Sequence, residues 1–407
     1  MVDLLKRGLT RRTLLNTAGL GLFTLGTTSV FAISKPLRTL AQAAPAPSEE
    51  PSLPPEQKLG WAVVGLGKLA TEQIMPSFGE CKRSRLVALV SGDRAKAERY
   101  AQQYGVNPKN IYNYQTYDRI RDNPEVDVIY IILPNGLHAE YTIRGAQAGK
   151  HIMCEKPMAN SVAECQAMIN AARQANRKLM IAYRAQYEPY NLAAIEIARG
   201  QRKELGQLKA IVADHGRIVN PAEPQDRWRI NKQLAGGGSL PDIGIYSLNA
   251  ARYLTGEEPS EVSAMIYSTP NDSRFLEVEE NVNFILRFPS GVLANCTSSY
   301  GYSDTKRIQV FGSEGTLELN PATDYYQHRL FLSKEKVREE RNIDEKNQFA
   351  LEMDHLSECI MQNRQPKTPG EEGLQDIRLI QTIYEAAQTG RKIQLAPMQP
   401  PRNEGSV

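Results

Sequence analysis

Cysteine is scarce and unpatterned in this 407-residue chain. The five thiols, Cys81, Cys154, Cys165, Cys296 and Cys359, are odd in number, widely spread and nowhere arranged as CxxC. That excludes a zinc-finger framework and a disulfide-stapled scaffold, and it leaves cysteine as a small buried hydrophobe. Histidine is equally thin: five residues, none at metal-ligand spacing, so no metal site is expected. Charge of one sign is also missing. Of the 49 basic and 46 acidic residues, six bases (Lys6, Arg7, Arg11, Arg12, Lys35, Arg38) and one acid (Asp3) fall within residues 1–43, leaving 43 bases against 45 acids beyond. A near-neutral body lacks the basic footprint that nucleic acid requires. No internal repeat or long apolar run recommends a structural or adhesive role.

The basic residues of the amino terminus have their own logic. Thr10-Arg11-Arg12-Thr13-Leu14-Leu15 places adjacent arginines before a segment of small and apolar residues reaching Ala32. This is the twin-arginine form of an export signal, over residues 1–43, with Ala41-Gln42-Ala43 as small residues for cleavage and Ala32 as a second point; the alternative is an uncleaved amino-terminal anchor. Gly19, Gly21, Gly26, Thr24, Thr27 and Thr28 keep the segment only mildly apolar, so stable membrane insertion after processing is not expected. Export through the twin-arginine machinery to the periplasm suits a protein that folds before leaving the cytoplasm. Residues 44–58 hold five prolines and no apolar periodicity, which reads as an extended arm. Such an arm is a spacer, or it drapes over a cofactor or a neighbouring subunit.

A globular chain of this length calls for two domains. The first is expected over 59–180 and opens with an apolar strand, Leu59 to Val64. Gly65-Leu66-Gly67-Lys68-Leu69-Ala70 follows, then a helix, a second strand from Arg85 to Val90 and another helix. In this GxGxxA turn the first glycine permits the tight bend and the second lets backbone approach a pyrophosphate. The small third residue lets helix and strand pack closely, with phosphate at the helix amino end. NAD binders place a carboxylate at the end of the second strand for the ribose 2′-hydroxyl. Here that position is Ser91, with Asp93 two residues late and Arg94 and Lys96 following. A missing acid beside cations suits a 2′-phosphate, hence NADP; the alternative is that Arg94 and Lys96 are solvated helix-start charges and Asp93 turns in to bind NAD. The strand Val126 to Leu133 is nearly continuous in hydrophobic residues, as a parallel strand covered on both faces should be, and it ends in Pro134-Asn135. A helix from His138 to Gly149, a strand from His151 to Cys154 and the tripeptide Glu155-Lys156-Pro157 complete the edge where such folds bind ligands.

The runs ILPNGLHAEY, AGKHIMCEKPMA, LMIAYRAQYEPYN, AGGGSLPDIGIYSLNAARYLTGEEP and PGEEGLQDIRLIQTIYEAA carry a family resemblance. The chain from residue 59 onward resembles the glucose–fructose oxidoreductase, inositol dehydrogenase and rhizopine catabolism (Gfo/Idh/MocA) family of dehydrogenases. The twin-arginine leader and proline-rich arm are most similar to its periplasmic glucose–fructose branch. The resemblance implies an α/β Rossmann domain plus an α+β domain, here 181–407, with an open, largely antiparallel sheet that binds substrate and supports homo-oligomers (dimer or tetramer). Strand-like runs at Leu208–Arg217, Val262–Ser268, Val282–Phe288, Val292–Tyr300, Arg307–Phe311 and Thr316–Leu319 agree independently, as does a carboxyl-terminal helix from Glu372 to Thr389.

The resemblance implies that Gly65, Leu66, Gly67, Lys68, Leu69, Ser91, Arg94, Lys96, Pro134, Asn135, His138, Glu155, Lys156 and Arg184 hold NADP. It assigns the chemistry to Lys156, Tyr246 and Asp242. Oxidising a carbinol needs a base for the hydroxyl proton, and Tyr246 is the candidate, with Lys156 and Asp242 beside it. If DIGIYSLNAARYL is helical, Asp242 and Tyr246 share one face, and a lysine ammonium beside the phenol favours phenolate. Tyr183 and Tyr187 are as well suited to a core or rim as to sugar contact, and Trp228 and Arg229 to stacking on a sugar face or adenine. The expected activity oxidises a glucose-like aldose to its lactone on a tightly held NADP and reduces a second, fructose-like sugar to a polyol. Alternatives are a simple NADP-dependent aldose or polyol dehydrogenase, an aldose–aldose oxidoreductase, and a non-catalytic nucleotide- or sugar-binding protein. Pulse-labelling in cells lacking the twin-arginine translocase is expected to leave the precursor unprocessed; unchanged processing there contradicts the export assignment.

Overall fold

The computed structural model describes residues 51–397. The export segment and residues 44–50 of the arm lie outside them. The arm's described part enters beside the amino ends of the first two strands, where Leu53 N–H donates to the Lys82 carbonyl at 2.9 Å.

Six parallel strands form the first sheet: β1 (Leu59–Val64), β2 (Ser84–Val90), β3 (Ile111–Tyr112), β4 (Val128–Ile131), β5 (His151–Glu155) and β6 (Leu179–Ala182). Their order, β3-β2-β1-β4-β5-β6, is the dinucleotide-binding one, with the strand order reversing between β1 and β4. Side chains alternate between two buried faces, which is why these strands read as unbroken apolar runs. One face presents Val64, Val90, Ile131 and Cys154; the other presents Trp61, Leu89, Tyr130 and Met180. The second face is covered partly by helix Gln348–Met361, from far down the chain. That helix is tied down by Trp61 Nε1–H to Ser357 Oγ at 3.1 Å and by Ser84 Oγ to Asp354 Oδ1 at 2.9 Å. A boundary drawn at residue 180 therefore cuts β6, and chain from beyond it completes the first domain.

The second sheet contains β7 (Leu208–Gly216), β8 (Glu261–Tyr267), β9 (Asn281–Arg287), β10 (Leu293–Ser299), β11 (Thr305–Gly312), β12 (Thr316–Leu319), β13 (Leu330–Lys334), β14 (Val337–Arg341) and β15 (Ile393–Gln394). Its order is β14-β13-β12-β11-β7-β10-β9-β8-β15, and only β7 and β10 pair in parallel. The six strands expected from alternation all form, with small shifts at their ends. β13, β14 and β15 were not expected; in β14, Val-Arg-Glu-Glu-Arg has no buried face and pairs by register with β13 alone.

One face of this sheet carries Ile211, Ala213, Phe284, Leu286, Ala294 and Val310, which join Val64, Ile131 and Ile181 of the first sheet in a single core. The other face leaves Met265, Tyr267, Ile285 and Leu293 exposed. Helix Ile245–Thr255 packs between the second sheet and helix Gly370–Thr389. Buried Arg252 pins it there, donating to Glu258 at 2.7 Å, Glu372 at 3.0 Å and Asp376 at 2.6 Å. The carboxyl-terminal helix stops at Gly390, in the left-handed region that glycine adopts freely, as the sequence predicts. All five cysteines are buried and free.

Candidate active site

The glycine turn leaves β1 at the carboxyl edge of the parallel sheet. Gly65 has φ +93°, and a Cβ there would stand 2.3 Å from the Ile132 carbonyl, so only glycine fits. Gly67 is the opposite case: a Cβ there meets nothing within 4 Å. The open space lies where backbone must admit a pyrophosphate. The helical segment that follows, Ala70–Ile74, has no side-chain cap on its amino end, which leaves N–H groups for an anion. Leu66 and Leu69 pack into the core, while Lys68 stays exposed, 3.9 Å from Glu72. These features fit a bound dinucleotide.

At the end of β2, Ser91 is buried and its Oγ accepts from Asp93 N–H at 3.1 Å. Asp93 itself caps the helix Arg94–Tyr104, accepting from Lys96 N–H at 2.9 Å. Its carboxylate is thereby engaged in a helix cap. Lys96 Nζ donates to the Leu66 carbonyl, which brings a cation against the glycine turn. Arg94 Nε donates to Glu98 at 2.7 Å. Small neutral Ser91, a capping Asp93 and two basic neighbours match the reading of a 2′-phosphate rather than a bare ribose.

Along the same edge, Val64 pairs with Ile131 and Ile131 with Cys154, so Gly65 and Glu155 lie one intervening strand apart, about 10 Å. Pro134 and Asn135 follow β4. Asn135 Nδ2 donates to the Ala235 carbonyl at 2.8 Å, stitching this loop to the second domain. His138 is wholly buried between two carbonyls, 2.8 Å from Pro157 O and 2.8 Å from Leu133 O. Burial pushes its pKa down against the pull of those carbonyls. It fixes the β4 loop to the Lys156-Pro157 junction, whose peptide bond is cis.

Lys156 reaches across the domain crossing. Its Nζ donates to the Asp242 main-chain carbonyl at 2.7 Å, lies 3.9 Å from Asp242 Oδ1 and sits 4.6 Å from the centre of the Tyr246 ring. Lys156, Asp242 and Tyr246 thus converge, as expected. The helical face linking the latter two is wound differently from the expectation: Leu240–Gly244 is a π-helical turn that continues into the α-helix Ile245–Thr255. The run Gly236-Gly237-Gly238 before it is demanded by packing. A Cβ on Gly237 would lie 1.9 Å from the Tyr384 hydroxyl, and one on Gly238 would lie 1.9 Å from the Glu279 carbonyl.

The Lys156 ammonium lies beside the phenol, as expected. Lys156 meets the ring face, and the hydroxyl's cationic neighbour is Arg184, whose Nη2 donates to Tyr246 Oη at 3.1 Å. Arg184 also donates to the Thr323 carbonyl at 2.6 Å, the Asp324 carbonyl at 2.9 Å and Gln348 Oε1 at 2.7 Å. Those bonds place it behind Tyr246, although it was expected among the nucleotide contacts. On the other side, His215 stacks on the Tyr246 ring at 5.5 Å. Burial pushes the His215 pKa down to about 3, so it braces the phenol as a neutral ring.

Asp242 is the charge centre. Its Oδ2 accepts from Arg229 Nε at 2.9 Å and from the Tyr300 hydroxyl at 2.8 Å. Burial alone would raise its pKa, but Arg229, Lys156 and Arg217, with the Tyr300 hydroxyl, hold it well below the usual carboxylate range. Arg229 is therefore a partner of Asp242, and it also lies 4.5 Å over the Trp228 ring. Tyr300, at the end of β10, gave no signal in sequence; neither did His215. Tyr183 and Tyr187 are core residues, and the Tyr187 hydroxyl is 3.2 Å from Thr368 Oγ1.

Residues 59–183 match an oxidoreductase family with an NAD-binding Rossmann fold, and residues 202–395 match that family's carboxyl-terminal α/β domain. The chain belongs to the Gfo/Idh/MocA oxidoreductase family. Among its relatives, the NADP-dependent D-xylose 1-dehydrogenase of Haloarcula marismortui is 32% identical, over 82% of this chain and 92% of its own. The 1,5-anhydro-D-fructose reductase of Ensifer adhaerens is 25% identical, over 82% and 98%. The solved structure of an aldose–aldose oxidoreductase from Caulobacter crescentus, complexed with glycerol, is 50% identical. It covers 83% of this chain and 100% of its own with a TM-score of 0.80. A 3-ketoreductase from Actinomadura kijaniata, solved with NADP and TDP-benzene, shares the fold at 22% identity and a TM-score of 0.71, over 81% of this chain and 98% of its own.

Gly67→Val fills the open space without meeting protein. It is expected to weaken dinucleotide binding at least tenfold while changing the stability of nucleotide-free protein by no more than about 0.5 kcal/mol. Titration of nucleotide fluorescence and urea unfolding check the two halves.

Proposed function

We propose that this chain is an exported, NADP-dependent sugar oxidoreductase that couples two half-reactions on one retained nucleotide. An aldose is oxidised to its lactone and a second sugar is reduced. The observation that carries the reading is the convergence of Lys156, Asp242 and Tyr246 at the sheet edge that also bears the glycine turn. NADP-dependent sugar enzymes among the relatives, and a neutral Ser91 followed by cations, support the choice of cofactor.

NADP supplies the hydride acceptor when bound. Gly65 through Leu69, Ser91, Arg94 and Lys96 would hold its phosphates and ribose, and Pro134, Asn135, His138 and Glu155 shape the edge beside its reactive end. The residues of the chain then move the proton. Tyr246 Oη takes it from the sugar hydroxyl as the carbinol carbon loses hydride, and returns it when the second sugar's carbonyl is reduced. Arg184 holds the phenol oxygen from behind. Lys156, anchored on the Asp242 carbonyl, keeps its remaining N–H groups for the sugar oxygen where negative charge develops. Asp242 stays ionised and balances Lys156 and Arg229.

The 50% identity to an aldose–aldose oxidoreductase favours a second aldose, rather than a ketose such as fructose, as the sugar reduced. We further propose periplasmic residence, from the twin-arginine leader, and a homo-oligomer. Exposed Met265, Tyr267, Ile285 and Leu293 on the second sheet provide an apolar face for another copy of the chain.

Protein purified without added cofactor is expected to contain NADP and to turn over a mixture of two sugars with parallel-line, ping-pong kinetics. Absolute dependence on added NADP contradicts retention, and comparing fructose with aldoses as the second substrate decides between the two pairings. Lys156→Ala should lower kcat by about 10²–10⁴-fold with nucleotide content unchanged. Near-full activity in that variant removes Lys156 from the mechanism.

A further inference from the structure

Behind Lys156 lies a buried acid that the chemistry above does not use. Glu352, on helix Gln348–Met361, is wholly buried. Tyr130 Oη stands 2.7 Å from Glu155 Oε1 and 3.3 Å from Glu352 Oε1. The other oxygen of Glu155 accepts from the Lys156 main-chain N–H at 3.2 Å. A line of contact therefore runs from Glu352 through Tyr130 and Glu155 to Lys156. The second oxygen of Glu352, Oε2, is buried with no hydrogen-bond partner among the described residues.

The count of protons decides the state of this line. A phenol has one O–H to give, and two carboxyl oxygens face it. The shorter contact is to Glu155, so Tyr130 donates there. An anionic Glu352 would then be a buried charge without a donor at either oxygen, a state that burial strongly disfavours. A protonated Glu352 removes the conflict. Its Oε1–H donates to Tyr130 Oη, Tyr130 donates to Glu155, and the bare Oε2 is left as a neutral carbonyl oxygen, the least costly atom to leave unpaired.

Burial raises the pKa of Glu155 too, but the Tyr130 hydroxyl, Lys156 and Arg184 pull it back. Burial, then repulsion from Glu155 on β5, push the Glu352 pKa well above the usual carboxylate range, against the pull of Arg184 beyond β6 and of Tyr130 on β4. Tyr187, also facing this acid, is held neutral by burial. Arg184 offers Glu352 no hydrogen bond from its Nη groups, which donate to Thr323, Asp324, Gln348 and Tyr246.

We infer that Glu352 is a neutral carboxylic acid in the working protein and a positioning residue: its O–H, acting through Tyr130, sets the Glu155 carboxylate beneath the Lys156 main chain and so fixes where Lys156 stands. The functional half rests on the proposed role of Lys156; the protonation state does not. Loss of the proton leaves two anions competing for one phenolic hydrogen and releases the hold on Glu155.

Proton linkage tests the state without any substrate. The folded protein keeps this proton at pH values where the unfolded chain has lost it, so its contribution to stability falls as pH rises from the ordinary carboxylate range toward the raised value. Glu352→Gln has no proton to lose and keeps both shape and an N–H donor for Tyr130. Urea unfolding between about pH 5 and 9 should give a variant-minus-parent stability difference that grows with pH, with a slope approaching about one proton. Parallel curves, or the opposite slope, overturn the inference.

Turnover tests the positioning. Glu352→Ala and Tyr130→Phe should each lower kcat about tenfold or more while the sugar KM moves less than about twofold. Glu352→Gln should recover most of the kcat lost in the alanine variant. Equal losses in the Gln and Ala variants contradict it, and Tyr130→Phe gives an independent reading should a Glu352 variant fold poorly. If Lys156→Ala retains activity while the linkage slope is found, the functional reading fails and the protonation state stands.

Discussion

The active edge of this protein is organised by one ammonium-to-carbonyl bond. Lys156 leaves the end of a parallel strand and donates at 2.7 Å to the main chain of Asp242, in the other domain. A side-chain hydrogen bond to a carboxylate can be re-made in many rotamers. A bond to a main-chain carbonyl requires that the whole π-helical turn Leu240–Gly244 be in place. Everything else at the site follows from that requirement. The three glycines before the turn allow it to lie against Tyr384 and Glu279, and the cis Lys156-Pro157 junction, held through His138, presents Lys156 from the opposite side. Asn135 adds a second stitch between the same two pieces of chain.

Charge is balanced pair by pair within this frame. Asp242 is surrounded by Lys156, Arg229 and Arg217, and each cation is shared with another carboxylate or carbonyl. Tyr246 lies between two cations, with Lys156 over its ring, Arg184 at its oxygen and a neutral His215 stacked on it. Such a phenol is held from several directions and has little freedom to move, which is what proton transfer at a fixed carbinol carbon needs. Deeper still, Tyr130 links two acids that burial keeps from both being anions. The site is thus layered: Lys156, Asp242 and Tyr246 stand at the sheet edge, and an inner set of side chains keeps them aligned.

The glycine turn, the apolar parallel strands and the Glu-Lys-Pro edge were legible in sequence because each is a local pattern with one physical reading. Gly65 needs its positive φ, and β4 needs apolar residues on both faces. Lys156, Asp242 and Tyr246 were legible only as a combination of separate motifs, through the family resemblance that those motifs carry. Spacing joined only Asp242 and Tyr246; the resemblance put the lysine beside the phenol, and its seat over the ring face depends on long-range packing. Arg184 itself was assigned to the nucleotide because nothing local reveals that its guanidinium meets the carbonyls of Thr323 and Asp324, some 140 residues away. Tyr300, His215 and Glu352 share this cause: each acts through long-range packing between elements. β14 escaped because its strand character comes from its partner rather than from its own alternation.

The central claim is that Lys156 and Tyr246 act as one unit on the sugar hydroxyl. A double-mutant cycle read by single-turnover hydride transfer tests it most directly, following nicotinamide absorbance after aldose is mixed with nucleotide-loaded protein. The account predicts strong non-additivity, with Lys156→Ala, Tyr246→Phe and the double variant all slowed to nearly the same rate. Losses that multiply in the double variant would show two independent contributions and contradict it.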